Sequence, residues 1–306
     1  MRIATRRSTL ALWQANHVAN ALREAHPGLD VSLVPMTTEG DRQLARPLFE
    51  IGGKGLFLKE LERAVLASKA DIAVHSMKDV PAELPAGLCI TAVLKRLDPR
   101  DAFVSNEFAD LDDLPTEAIV GTSSLRRQCQ LKAYRPDVET ENLRGNVESR
   151  LRRLDDGDFS AVILASAGLK RLGMADRIRA PIPTNICLPA IGQGVIGVEC
   201  CDDDTSTREL LAALNHDETA VLMTAERAFS NALAADCRLP VAALAEASAT
   251  EVSITGRVGM PDGSRLISGT ARGPLAESEA AGQSLALDLL NQGAAEILDR
   301  LRENPE

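Results

Sequence analysis

The sequence predicts two α/β lobes around a cleft, followed by a small α+β unit. Three observations carry this. Strand-like and helix-like segments alternate over the first two thirds of the 306 residues. The alternation breaks at Leu97-Asp98-Pro99 and then starts again. From Asp217 the pattern becomes one long helix, a hairpin and a final helix.

Residues 2–5 read as a first strand. Residues 9–25 read as a helix, with Leu10, Trp13, Val18 and Leu22 near one face and Ser8 as N-cap. A strand at 31–36 leads into a polar loop containing Gly40, Gly52, Gly53 and Gly55; a helix at 56–68 and a strand at 71–75 follow. The βαβ rhythm predicts a mostly parallel sheet. After the break come strands at 118–120, 138–143 and 161–165, with helices at 124–134 and 147–154 between them. Pro181, Pro183 and Pro189 mark a passage back, and residues 196–200 are expected to return a strand to the first sheet. A helix at 217–234 carries Val221, Leu222, Ala225, Phe229 and Leu233 at helical spacing. Strands at 252–258 and 265–271 flank the turn Pro261-Asp262-Gly263, and a last helix covers 277–300. The expected units are 1–96 with 194–214, 97–193, and 215–306.

Composition excludes several classes. Hydrophobic residues make up 45% and charged residues 25%, as in an ordinary globular protein. A net charge of -10 argues against nucleic-acid binding through the overall field, so a basic cluster has a local meaning. Residues 1–7 show no apolar signal core, and no window approaches the ~18 apolar residues of a membrane span, so a cytoplasmic protein with no membrane partner is expected. The six cysteines form no C-x-x-C pair and the four histidines (His17, His26, His75, His216) are scattered, which argues against a metal site.

The basic residues gather where strands end and helices begin. Arg6 and Arg7 follow the first strand, Lys54 lies in the Gly-rich loop, and Lys78 follows the strand ending near His75. Arg126 and Arg127 follow Gly121-Thr122-Ser123-Ser124; Arg144 follows another strand, with Arg150 on the next helix. Open α/β sheets bind ligands at these ends. A cation at a helix N-terminus is disfavoured by about 0.3–1 kcal/mol, so its recurrence points to an anion, carboxylate or phosphate. Neither a Walker A nor a G-x-G-x-x-G loop is present. Asp79 stands among these cations in Ser76-Met77-Lys78-Asp79-Val80-Pro81. A carboxylate there stabilises a developing cation or moves a proton, roles worth ~10²–10⁴ in rate; the plainer alternative is a cap of the turn before Pro81. Cys89, Cys129, Cys187 and Cys200 read as inert thiols and Cys201 as unremarkable, whereas Cys237, in a connection beside Arg238, is a candidate nucleophile.

Together these residues resemble the porphobilinogen deaminase family. The segments are Arg2-Ile3-Ala4-Thr5-Arg6 with Leu10-Ala11-Leu12-Trp13-Gln14, Gly52-Gly53-Lys54-Gly55-Leu56-Phe57, Val74-His75-Ser76-Met77-Lys78-Asp79-Val80-Pro81, Gly121-Thr122-Ser123-Ser124-Leu125-Arg126-Arg127, Asn142-Leu143-Arg144-Gly145-Asn146-Val147 and Leu188-Pro189-Ala190-Ile191-Gly192-Gln193-Gly194. Each is weak alone; the ordered set is specific. Beyond Asp236 the likeness rests on Cys237, Pro240 and the domain pattern.

The resemblance implies two periplasmic-binding-protein-like lobes plus the small C-terminal domain. It implies one dipyrromethane cofactor per chain, thioether-bound to Cys237. Four porphobilinogens condense on it in turn with loss of ammonia, and hydrolysis releases hydroxymethylbilane. It implies Asp79 as the catalytic aspartate. Ser76, Lys78, Lys54, Thr122, Ser123, Ser124, Arg126, Arg127, Arg144 and Gly145 are then cofactor contacts, and Arg6, Ser8, Arg144, Arg150, Arg171 and Gln193 are substrate contacts. The expected state is a monomer with porphobilinogen as small-molecule partner. One departure is visible: Ala235 and Asp236 stand where the family usually has two glycines. Ala is penalised at positive φ, and Asp236 opposes Arg238 by raising the neighbouring thiol pKa. The Gly-rich segment 38–55 is expected to be a mobile lid. The rival readings are a non-enzymatic small-anion-binding module and a phosphate-handling transferase.

Overall fold

The computed structural model describes residues 1–42, 57–235 and 239–303. Lys54, Cys237, Asp236 and most of the expected lid lie outside the described residues.

The first sheet begins with β1 (Arg2–Arg6), then α1 (Thr9–Ala25), β2 (Ser32–Met36), a short α2 (Glu39–Arg42), α3 (Lys59–Leu66), β3 (Ile72–Ser76) and β4 (Leu88–Val93). A single 3₁₀ turn, Met77–Asp79, closes β3. Helix α1 forms where expected. The Ser8 hydroxyl accepts from the Ala11 N–H at 3.3 Å, and Ala15, Val18, Ala19 and Leu22 are buried. Such a cap contributes about 1 kcal/mol. Trp13 is a correction: it is on the open side of the helix, 37% exposed, stacked on His17.

The chain then enters the second sheet with β5 (Asp101–Val104), β6 (Ile119–Gly121), α4 (Leu125–Tyr134), β7 (Glu139–Glu141), α5 (Val147–Asp155), β8 (Ala161–Ala165), α6 (Ser166–Arg171) and β9 (Ala180–Pro181). It returns through β10 (Ile196–Cys201), which inserts into the first sheet, followed by α7 (Thr205–Ala212). The sheet orders are β2-β1-β3-β10-β4 and β7-β6-β8-β5-β9. In each, the fourth strand runs antiparallel to both neighbours and arrives directly from the other lobe. Four strands of each sheet therefore run in one direction, as expected, and only the exchanged strand is reversed.

The two crossings lie side by side. Leu94 N–H donates to the Ile196 carbonyl at 2.9 Å, and Leu97 N–H to the Gly194 carbonyl at 3.1 Å. Gly194 has φ +87°, and a Cβ there would strike the Leu97 carbonyl, so glycine is required.

The third layer starts at α8 (Asp217–Ala232) and continues with the meander β11 (Val241–Ala247), β12 (Glu251–Gly259) and β13 (Leu266–Pro274). Helix α9 (Ser278–Leu289) and helix α10 (Ala295–Glu303) complete it. The last helix is not continuous as expected: Gly293, at φ +101°, breaks it. Phe229, Ile254, Leu285 and Leu289 fill the core between helices and meander. Glu226 of α8 fixes this layer to both crossings. Its carboxylate pairs with Arg96 at 2.7 and 2.8 Å and accepts from Gly192 N–H at 2.7 Å and Ala245 N–H at 2.8 Å.

Candidate active site

Strand β3 delivers Ser76, Lys78 and Asp79 to the end of the first sheet. The buried run Ile72–His75 anchors the strand, and Met77 N–H donates to the Val195 carbonyl at 3.0 Å, which holds the turn. The Ser76 hydroxyl accepts from the Gln14 amide at 2.8 Å. The Lys78 ammonium has no hydrogen-bond partner among the described residues. Burial lowers its pKa to about 8; Asp79 opposes that shift, and Arg127 and Arg126 add to it.

The second sheet supplies the facing cations. Ser124 is the N-cap residue of α4, yet its side chain makes no cap hydrogen bond. Thr122 is buried, and its hydroxyl accepts from Ser124 N–H at 3.3 Å; Ser123 is half-buried beside it. Gly145 precedes α5 at φ +112°, where a Cβ would strike the Ser149 hydroxyl. Its carbonyl accepts from Arg150 Nε at 2.9 Å. Burial first, and then Arg127 and Arg144, lower the Arg150 pKa to about 10, against the pull of Asp79. Asp79 therefore lies within electrostatic reach of Lys78 on its own lobe and of Arg150 on the other.

Arg126 and Arg127 sit deeper than a simple anion cradle requires. Both are buried, and both are held by Asp101, which opens β5. Asp101 Oδ2 meets Arg126 Nη1 at 2.8 Å, and Oδ1 accepts from Arg127 Nε and Nη2 at 3.1 and 2.7 Å. The Gln193 amide also donates to Oδ1 at 3.0 Å, and the Cys187 thiol to Oδ2 at 3.3 Å. Burial disfavours the Asp101 carboxylate, but the two guanidinium groups more than offset this and hold its pKa far below the usual range. Burial, with Asp101 adding to it and Arg126 and Arg127 opposing it, pushes the Cys187 thiol up to about 12. Asp101 escaped the sequence reading. An acid opening a short apolar run, just after the break at Leu97-Asp98-Pro99, was the available signal.

The remaining residues are engaged elsewhere. Arg6 pairs with Asp41 and stands 4.1 Å from the Phe57 ring centroid. Ser8 caps α1. Arg171 donates to the Gly194 carbonyl at 2.8 Å and lies 5.9 Å from the Trp13 ring, with its pKa lowered to about 10 by burial. Cys129 and Cys187 are buried, and Cys200 is buried on β10. Among the described residues no three His, Cys, Asp or Glu side chains converge as a metal site, and no helix is long and apolar enough to cross a membrane.

Two lobes that exchange strands, with Lys78 and Asp79 of one in electrostatic reach of Arg126, Arg127 and Arg150 of the other, define a two-lobed α/β protein with a cation-rich site at the ends of its sheets. Residues 1–209 match the family model "Porphobilinogen deaminase, dipyromethane cofactor binding domain", and residues 220–291 match "Porphobilinogen deaminase, C-terminal domain". The chain belongs to the porphobilinogen deaminase family, whose members are transferases of tetrapyrrole synthesis. Among solved structures it is similar to the periplasmic VFT2 domain of BvgS from Bordetella pertussis (15% identity, 70% of this chain and 86% of that one, TM-score 0.43). It is also similar to the methionine-binding protein MetQ (12%, 70% and 89%, 0.46) and to immunogenic lipoprotein A from Vibrio vulnificus (12%, 72% and 96%, 0.45). Likenesses this distant say nothing of activity.

The dipyrromethane carries an acetate and a propionate on each ring. The residues present fit such a group: Lys78 and Arg150 are desolvated cations that share one acid, Asp79, and the buried Arg126 Nε has no hydrogen-bond partner among the described residues.

Proposed function

We propose that this chain condenses four porphobilinogen molecules in turn, with loss of ammonia, on a dipyrromethane thioether-bound to Cys237, and releases hydroxymethylbilane by hydrolysis. The observation that carries the proposal is that Asp79 acts electrostatically on both Lys78 and Arg150, one acid within reach of cations from both lobes. When bound, the dipyrromethane supplies the free pyrrole α-position from which the chain grows.

The cations grip carboxylates. Lys78, Arg144 and Arg150, with Arg126 and Arg127 behind them, hold the acetate and propionate groups. Ser76, Thr122, Ser123, Ser124, Gly145 and Lys54 add hydrogen bonds around the cofactor. Arg6, Ser8 and Arg171 extend the binding surface towards incoming substrate, and the buried Gln193 supports it from behind by donating to Asp101. Arginine's planar fork suits each carboxylate.

Asp79 does the selective work. Its carboxylate accepts the pyrrole N–H, so positive charge that develops when ammonia departs meets a fixed negative partner. At ~4 Å and an effective dielectric near 20, that pairing is worth about 4 kcal/mol before desolvation. It is stronger in the charged state than in the neutral ground state, which is what accelerates a reaction. The protein works as a cytoplasmic monomer with no nucleic-acid partner.

The test is porphobilinogen consumption by Asp79→Asn. The variant is expected to fold, to hold the cofactor and to lose ~10²–10⁴ in turnover. Near-normal turnover removes Asp79 from the reaction. Anion binding by the parent protein with no porphobilinogen turnover favours a binding module instead.

A further inference from the structure

A second cavity, of about 490 Å³, lies between the first lobe and the third layer. Its floor is the edge strand β4, contributing Ile90, Thr91 and Val93, and its wall is one stripe of α8. That stripe reads Ala220, Met223, Thr224, Arg227, Ala228 and Asn231, the i, i+3, i+4 spacing of a single helix face. Met77 closes one side, although its neighbours Lys78 and Asp79 do not line the cavity. The volume falls in the ~300–1,000 Å³ range of small-molecule sites, and domain junctions are where such sites concentrate.

A helix face that packs only against a neighbouring domain would be apolar throughout. This one carries Arg227. Its Nη2 donates to the Ala82 carbonyl at 2.8 Å, and among the described residues no carboxylate lies within ion-pair distance. Glu199 acts on it only from further away, and burial lowers its pKa. A half-buried guanidinium without a counter-ion is costly unless an anion completes it. One turn further along, the exposed Asn231 amide has no hydrogen-bond partner among the described residues, so a donor stands beside the cation. Ile90 of β4 supplies apolar surface to the cavity, with Met77 beside it and Met223 one turn back on the α8 stripe. Glu279 lines the rim, where its carboxylate accepts from Gln283 at 3.2 Å; it disfavours a ligand with more than one negative charge.

We propose that this cavity binds a small monocarboxylate with a ring-sized apolar body, its carboxylate on Arg227 and Asn231 and its body against Met77, Ile90 and Met223. The site is separate from the cleft, yet its occupant rests on the back of the turn that carries Lys78 and Asp79.

The test is titration of 2-naphthoate into the holoenzyme by calorimetry. The expected result is saturable binding of one molecule per chain, unaffected by porphobilinogen. Arg227→Gln is expected to weaken it at least tenfold, and Ala228→Trp, which fills the cavity, to abolish it. Because Arg227 also braces Ala82, the parent protein is compared with 2-naphthamide, which has the same body without the charge; at least tenfold weaker binding is expected there too. Absence of saturable binding, equal affinity for acid and amide, or displacement by porphobilinogen each overturns the proposal.

Discussion

Asp101 Oδ1 accepts two hydrogen bonds from Arg127, at 3.1 and 2.7 Å, and through them the first residue of an exchanged strand fixes the first turn of α4. The same carboxylate holds Arg126. One acid against two guanidinium groups leaves the site cationic while keeping both side chains in place.

Asp101→Asn leaves two buried guanidinium groups without their counter-charge. Removing one partner of a buried pair costs about 3–5 kcal/mol. The variant is expected to unfold at distinctly lower urea concentration than the parent. An unchanged midpoint would show that Asp101 does not hold the pair.

Acid should weaken the fold through Asp98 and Asp101. Hydrogen bonds from Arg100 and Lys170 outweigh partial burial at Asp98, and Arg126 and Arg127 outweigh full burial at Asp101. Both carboxyls thus sit below the ordinary value of about 3.9. Their contribution is complete above the unfolded-state value and is lost as pH falls through the folded one. Urea midpoints are expected to hold between pH 7 and about 5 and to fall below about 4, less steeply in Asp98→Asn. Glu62 runs the other way: burial, then Glu199, raises its pKa, so its ionisation costs stability as pH rises. Glu62→Gln is expected to match or exceed the parent in stability at pH 7.

Lys78 should titrate near pH 8 in cofactor-free protein, because burial lowers its pKa to about 8. Below that pH the ammonium is present to hold a carboxylate; above it the grip weakens. Since the folded value lies below the ordinary ~10.4, the fold gains stability as pH rises from about 8 through that range. Carbon-13 dimethylation followed by NMR, assigned with Lys78→Arg, reads this directly. A midpoint near 10.4 would contradict the desolvation of this amine.

The attachment of the third layer to the two crossings should depend on Glu226, which joins Arg96, Gly192 and Ala245. Glu226→Gln keeps one acceptor and loses the charge. It is expected to lower the urea midpoint and to speed hydrogen exchange at Gly192 and Ala245. Unchanged exchange at both amides would show that the node does not restrain the crossings.

Much of the fold was legible where local signals agree. The segment 9–25 has a cap, a helical period and a clear end, and residues 161–165 form an unbroken apolar run; both elements form at those bounds. Strand β5 was missed because four residues carry too little pattern, and β11 because Val241-Ala242-Ala243-Leu244-Ala245 favours a helix locally until β12 pairs with it. The antiparallel fourth strands were not legible because strand order is a tertiary choice. At the site, Lys78, Asp79 and Arg150 were marked by strand ends and by family motif. Asp101 was not, because a buried counter-ion has no signature until its partners are brought around it. Trp13 misled because a large aromatic on a helix reads as core, whereas here it faces Arg171 across the lobes.

The central claim is that this chain carries a dipyrromethane on Cys237 and builds a tetrapyrrole from it. The most direct measurement is the denatured intact mass of the purified protein beside that of Cys237→Ser. The account predicts a surplus over the sequence mass equal to one dipyrromethane, absent from the variant. A parent protein at its bare sequence mass, unchanged after incubation with porphobilinogen, would contradict it.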